Sequence, residues 1–475
     1  MSQGEAQGPS PEEMGINPPE QKEQAPKWKP IGYEGCLPDT PKGAVVDLEQ
    51  LRAQKAVVVD TGAFASFLED HKEQETFSEE EIDGLYRETI AAGAIDHHSI
   101  DQFLGARGLH PEKCSTQMVV DYSEAVVDLL SSHEIQVVHT HYDSDLDAVA
   151  SSYLVRALVQ NGELPAIARD LAAVANRLDY GKFDIVDPEQ FLKTLPGIFE
   201  TIKSTISDQF RAEISEKGFS PALAAKYENK RNKMVFAILN RLNQAMIEGQ
   251  EYDLAGDCTG LLDGLDEEII SAIRVGQEKL REEYQKFLED FTSAEKHQTN
   301  IRTKEGGQMD AEIVVAQSND PLMFTNLAYM RIRPETIVAV YAGEDRRSGD
   351  HYDIGIIQDQ ARVMDLRELC LALNKAERQR RDILEAKNKS ERTKEEQGFI
   401  DKWEQERAKG PGREAFPGLR EMVERGEVSE DDILDVDPTP LVAGGSLIPA
   451  SHTSLLSEKG FKQVILDFIE QQKNT

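Results

Sequence analysis

Short apolar runs alternate with stretches of helical spacing over the first part of the chain. "KAVVVDTGAF" (residues 55–64) reads as a buried strand running into a loop. "SEEEIDGLYRETIAAG" (78–93) then has helical spacing, with Ser78 placed to cap its start and Gly93 to end it. "AIDHH" (94–98) predicts a second strand end, "CSTQMVVDYSEAVVDLLSSH" (114–133) an amphipathic helix, and "IQVVHTHYD" (135–143) a third strand. "DAVASSYLVRALVQNG" (147–162) predicts a helix rich in small residues that stops at Gly162. Strands alternating with helices predict an α/β domain with a largely parallel sheet. In such sheets the functional loops lie at the carboxyl ends of the strands.

Further along, the pattern changes. "FLKTLPGIFETIKSTI", "NKMVFAILNRLNQAM" and "EEIISAIRVGQEKLREEYQKFLEDF" read as helices. Strand-like runs return in "AEIVVAQS", "ETIVAVYAG" and "HYDIGIIQ", and the chain closes on a glycine loop and a helix. Residues 374–410 are so densely charged that they predict a long solvated helix with little apolar face. The expected α/β organisation has four parts: a disordered tail over 1–45, a parallel-sheet domain over 46–190, a helical connecting region over 191–305, and a smaller α/β C-terminal domain over 306–475 that carries the charged insertion.

Composition narrows the partners. The net charge of −34 disfavours long duplex nucleic acid, whose binding depends on phosphate neutralisation by Lys and Arg. A small anion still binds where a divalent ion dominates the local field. No apolar run is long enough to span a bilayer, so no membrane partner is expected, and the first residues lack a signal-peptide pattern. Cys36, Cys114, Cys258 and Cys370 form no CxxC pair, which predicts a reducing, cytoplasmic setting.

The chemistry lies in the histidines and aspartates. Four of the ten histidines fall in two short clusters, His97/His98 and His139/His141. "HTHYDSDLDAVASS" offers His141, Asp143, Asp145 and Asp147 at alternating positions, which a strand end or tight loop aims to one side. Asp60 stands at another strand end, and Asp179 precedes a glycine turn. Asp187, a rival to Asp179, reads as a helix cap ahead of Pro188. Carboxylates mixed with imidazoles suit Mn²⁺ or Mg²⁺. Two such ions held together activate a water and neutralise phosphate oxygens.

Together these residues resemble the DHH phosphoesterase superfamily, which includes RecJ-like exonucleases, nanoRNases, cyclic-dinucleotide phosphodiesterases and family II inorganic pyrophosphatases. One motif there has His, then two Asp, then small residues and Ser. "HYDSDLDAVASS" is similar to it at His141, Asp145 and Asp147. "VVVDT" resembles a second motif at Asp60, Asp96-His97-His98 a third, and Asp179 a fourth. The resemblance implies two Mn²⁺ or Mg²⁺ ions held by Asp60, His97, His141, Asp145, Asp147 and Asp179. It implies catalytic roles for His98, on the scissile phosphate, and for Asp96, orienting the neighbouring imidazole. A shorter variant, His141-Asp143-Asp145, keeps Asp143 as an alternative ligand.

The motif order is permuted, because His-Asp-Asp usually precedes the other three and here follows Asp-His-His. The likeness covers residues 55–190 best. Gly444, Gly445 and Ser446 resemble the substrate loop of the family's C-terminal domain but lack its Gly-Gly-Gly-His run, and they read equally as a phosphate cradle or a plain turn. Arg347 reads as a substrate contact or an exposed hairpin tip. The implied function is metal-dependent hydrolysis of a small phosphorylated substrate: a short oligonucleotide, cyclic dinucleotide, nucleotide bisphosphate or pyrophosphate. The alternative is a DHH-derived scaffold that binds a nucleotide or protein without hydrolysing it.

Overall fold

The computed structural model describes residues 55–61, 76–105, 111–135, 137–140, 144–180, 187–303, 306–318, 336–342, 351–356, 367–388, 446–449 and 458–474, with isolated positions between them. Among the described residues it is a mixed α/β protein in which helices dominate and two small sheets are embedded. Strand β1 (Ala56–Val59) is apolar and buried at all four positions. Helix α1 (Glu79–Ala92) begins with a capping box in which the Ser78 side chain and Glu81 satisfy each other's backbone N–H groups. It ends at Gly93, whose φ of 106° a Cβ would disfavour. The chain then enters β2 (Ala94–Ile95) and α2 (His98–Gly105).

One predicted helix becomes two, α3 (Ser115–Asp121) and α4 (Ser123–Ser132), parted at Tyr122. There the ring stacks on Tyr86 at 5.8 Å and the hydroxyl donates to Asp83. Strand β3 (Val137–His139) pairs in parallel with β1 at Ala56, Val57 and Val58; residues 141–143 of the expected strand lie outside the described residues. Helix α5 (Leu146–Asn161) follows, closed by left-handed Gly162, and then α6 (Ala168–Asp179). The first sheet has the order β2-β1-β3 and is parallel throughout, as the alternating pattern predicts. Asp60, Asp96 and His139 consequently lie at its carboxyl ends.

Asp187 caps the short α7 (Pro188–Phe191), which leads into α8 (Leu195–Lys217), α9 (Pro221–Ile247) and α10 (Glu267–Ser293). Their apolar faces join a hydrophobic core that runs continuously from Val57 of β1 to Ile273 of α10. Helices α8 and α10 cross closely at Gly276, where a Cβ would come within 2.0 Å of the Thr201 carbonyl oxygen. On α9, the buried Glu228–Arg231 ion pair reaches Ser144, 3.5 Å away and just ahead of α5.

The second sheet contains β4 (Glu295–Arg302), β5 (Gln308–Gln317), β6 (Thr336–Ala342) and β7 (His351–Ile356). After α11 (Arg367–Ala386) the chain supplies its last strand, β8 (Ser446–Pro449), and α12 (Glu458–Asn474). Strand order follows the chain, with β5 and β6 parallel and the other pairs antiparallel. Of the charged helix expected over 374–410, the described part is α11, which starts earlier and ends at Ala386, and residues 398–410 lie outside the described residues. Arg392 turns back onto the Leu384 and Glu385 carbonyls and satisfies the helix end. Leu369, Leu373 and Leu384 give α11 a buried face.

Candidate metal centre

Asp60 leaves β1 with φ at 51°, a left-handed conformation that costs a non-glycine residue about 1 kcal/mol. Its N–H donates to the Ile95 carbonyl at 3.0 Å, which ties the two strand ends together. Asp96 strengthens the link. One of its oxygens accepts the Thr61 N–H at 2.6 Å, and the other accepts the His98 N–H at 3.0 Å. That second oxygen lies 3.1 Å from His98 Nδ1, so the imidazole Asp96 holds is that of His98. His97 is held by other groups: its Nδ1 lies 2.9 Å from Asp101 Oδ2 and 3.1 Å from the Tyr180 hydroxyl.

Two helices supply the remaining carboxylates. Asp147, in the first turn of α5, accepts the Ser115 and Thr116 N–H groups at 2.8 Å each, closing the N-terminus of α3. Ser115 also donates its hydroxyl to Asp60 at 3.2 Å. Asp179 is the last residue of α6. His97 Nε2 faces Asp60 Oδ1 and Asp179 Oδ2, each 3.5 Å away, while His98 Nδ1 is 3.3 Å from Asp60.

Two groups of donors are thus positioned to chelate a metal ion: Asp60, His97 and His98, and His97, Asp147 and Asp179. Within each group the ligand atoms lie within 4.8 Å of one another. Both include His97, whose Nε2 carries one lone pair. The two groups therefore compete for that nitrogen. His97 Nε2, His98 Nε2 and Asp179 Oδ2 are buried with no hydrogen-bond partner among the described residues. Groups of this kind are costly to bury bare, and a bound cation would satisfy them.

The charges act on one another strongly. Burial and the nearby Asp60 push the Asp147 carboxyl up to about 6. Burial also raises Asp179 well above the usual carboxylate range, against the pull of His97. Asp96 moves the other way: burial opposes its ionisation, but His98 holds it below its usual range. For His97, burial favours the neutral ring, yet Asp179 and Asp101 outweigh it and hold the imidazole well above its ordinary value.

Among the predicted site residues, Asp60, Asp96, His97, His98, Asp147 and Asp179 converge. Asp145 serves as the N-cap of α5, accepting the Ala148 N–H at 3.0 Å, and belongs to neither donor group. His141, Asp143, Arg347, Gly444 and Gly445 lie outside the described residues, and Ser446 is described only as the first residue of β8. Four neighbours were not anticipated: Asp101, Ser115, Thr116 and Tyr180. Asp101 stands four residues after His97 at a helix start, a spacing that puts both on one face and is visible in the sequence. The other three carry no such signal.

No protein-family model, curated protein or solved structure matches the chain. Among the described residues, no helix is long and apolar enough to cross a membrane.

Proposed function

We propose that this chain is a divalent-metal-dependent phosphoesterase of the DHH type that hydrolyses a small phosphorylated substrate. One observation carries the reading: Asp60, His97, His98, Asp147 and Asp179 converge from four separate segments, and their buried nitrogens and oxygens include three without a hydrogen-bond partner among the described residues. In this reading Asp60, His97, Asp147 and Asp179 hold Mn²⁺ or Mg²⁺, with His141 and Asp145 completing the set for a second ion. Neither donor group contains a thiolate, and carboxylate-imidazole sets favour these harder cations. When bound, such ions lower the pKa of a water and neutralise phosphate oxygens.

The protein's own groups would do the rest. Of the two imidazoles His98 is the more open, 13% exposed against 2% for His97, which suits it to contact the scissile phosphate. Asp96 holds that ring through Nδ1, so the buried Nε2 is the ring nitrogen without a hydrogen-bond partner among the described residues. Helices α2 and α5 both begin at the site, so their N-terminal dipoles add positive potential for an anion. The net charge of −34 favours a short substrate over a long polyanion.

The test is a screen of bis-p-nitrophenyl phosphate, pyrophosphate, cyclic dinucleotides and short oligoribonucleotides with Mn²⁺ or Mg²⁺. The expected outcome is turnover of at least one compound that EDTA abolishes and His97→Ala lowers by roughly a hundredfold or more. Metal uptake without turnover of any compound would point to the scaffold alternative. Turnover that persists in His97→Ala would reject the site.

A further inference from the structure

Asp101 and Tyr180 stand behind the donor cluster. Asp101 lies in the first turn of α2, one turn after His97, and Tyr180 follows Asp179 at the end of α6. His97 Nδ1, Asp101 Oδ2 and the Tyr180 hydroxyl form a closed triangle, with sides of 2.9, 3.1 and 2.5 Å. The hydroxyl donates its hydrogen to Asp101 Oδ2, so it has none to give to the ring. A carboxylate oxygen only accepts. In the neutral ring, the form that can ligate a metal, the single hydrogen therefore belongs on Nδ1, directed at Asp101, and the lone pair belongs on Nε2. That nitrogen is the one 3.5 Å from both Asp60 and Asp179. The Tyr180 ring meets His97 edge-on at 5.9 Å and 65°, which restrains the imidazole plane.

We propose that Asp101 and Tyr180 are positioning residues that lock His97 in the Nδ1–H tautomer and aim Nε2 into the donor cluster, a role that rests on the metal-centre reading. A carboxylate behind a ligating imidazole raises its basicity and fixes its orientation. Tyr180 adds a mechanical link. Because it follows Asp179 directly, its bond to Asp101 ties the end of α6 to the start of α2. Two donors from distant segments, Asp179 and His97, are thereby held in register.

Mn²⁺ titration calorimetry on the full chain tests this, comparing wild type, Asp101→Ala, Tyr180→Phe and Tyr153→Phe. The last is a control, since its hydroxyl bonds Asn240 between α5 and α9. Expected is roughly ten- to a hundredfold weaker binding in Asp101→Ala, a smaller loss in Tyr180→Phe and no change in the control. Wild-type affinity in both Asp101→Ala and Tyr180→Phe overturns the inference and leaves the metal centre standing. If Asp101→Ala does not fold, Tyr180→Phe, which removes a single oxygen, decides the matter. If the wild type takes up no Mn²⁺, the metal reading falls separately. The tautomer is then read by ¹⁵N-histidine NMR at alkaline pH: Nδ1–H on His97 supports the lock, and Nε2–H overturns it.

Discussion

At the scale of single residues, the site is a concentration of like charge that the fold tolerates at a cost. Asp147 and Asp179 both bind protons more tightly in the folded chain than in the unfolded one, and so does His97. The sign follows directly. Where the native state holds more protons than the unfolded state, stability falls as pH rises, and for Asp147 that loss is complete once pH passes about 6. Metal binding requires the deprotonated groups, so its stabilising effect grows in the same direction. Melting temperatures at about pH 5 and about pH 8, with and without Mn²⁺, check this. The metal-free protein should lose stability toward the higher pH, and the Mn²⁺-induced shift should be larger there. A shift that is equal or larger at the lower pH would contradict the assignment. Asp60, Asp96, His97, His98 and Asp179 were legible because they follow an apolar run or helical stretch, and Asp147 because it ends the alternating run that begins at His141. The contacts that orient them were not. Tyr180 and Ser115 reach the site only through tertiary packing, which no local pattern encodes.

At the scale of elements, local chemistry set what could be read in advance. Ser78, Gly93 and Gly162 act at helix ends through their own backbone and nearest neighbours, so the bounds of α1 and α5 follow from sequence. Breaks made by distant partners escaped. Tyr122 parts α3 from α4 where it meets Tyr86 and Asp83, and Arg392 ends α11 by folding back on its last carbonyls. The crossing of α8 and α10 is another tertiary feature. Gly276→Ala would gain helix propensity yet drive a methyl group onto the Thr201 carbonyl oxygen, 2.0 Å away before any relaxation. The expected outcome is a net loss of about 1–3 kcal/mol in chemical denaturation, because overpacking outweighs the propensity gain. A variant as stable as wild type would show that the crossing yields easily.

Across the whole molecule, the donors are brought together by the order β2-β1-β3, which sets the Asp60 and Asp96 loops side by side at one end of a parallel sheet. Helices α3, α5 and α6 then close over that end, and α8, α9 and α10 back them through the continuous core. Strand order, not chain order, decides that the Asp60 and Asp96 loops are neighbours. The measurement that tests the central claim most directly is calorimetric titration of the folded, metal-free protein with Mn²⁺ at neutral pH, alongside His97→Ala. The account predicts saturable uptake by the wild type and its loss in the variant, because His97 belongs to both donor groups. A folded wild type that takes up neither Mn²⁺ nor Mg²⁺, or a His97→Ala protein that binds as tightly as wild type, would contradict it.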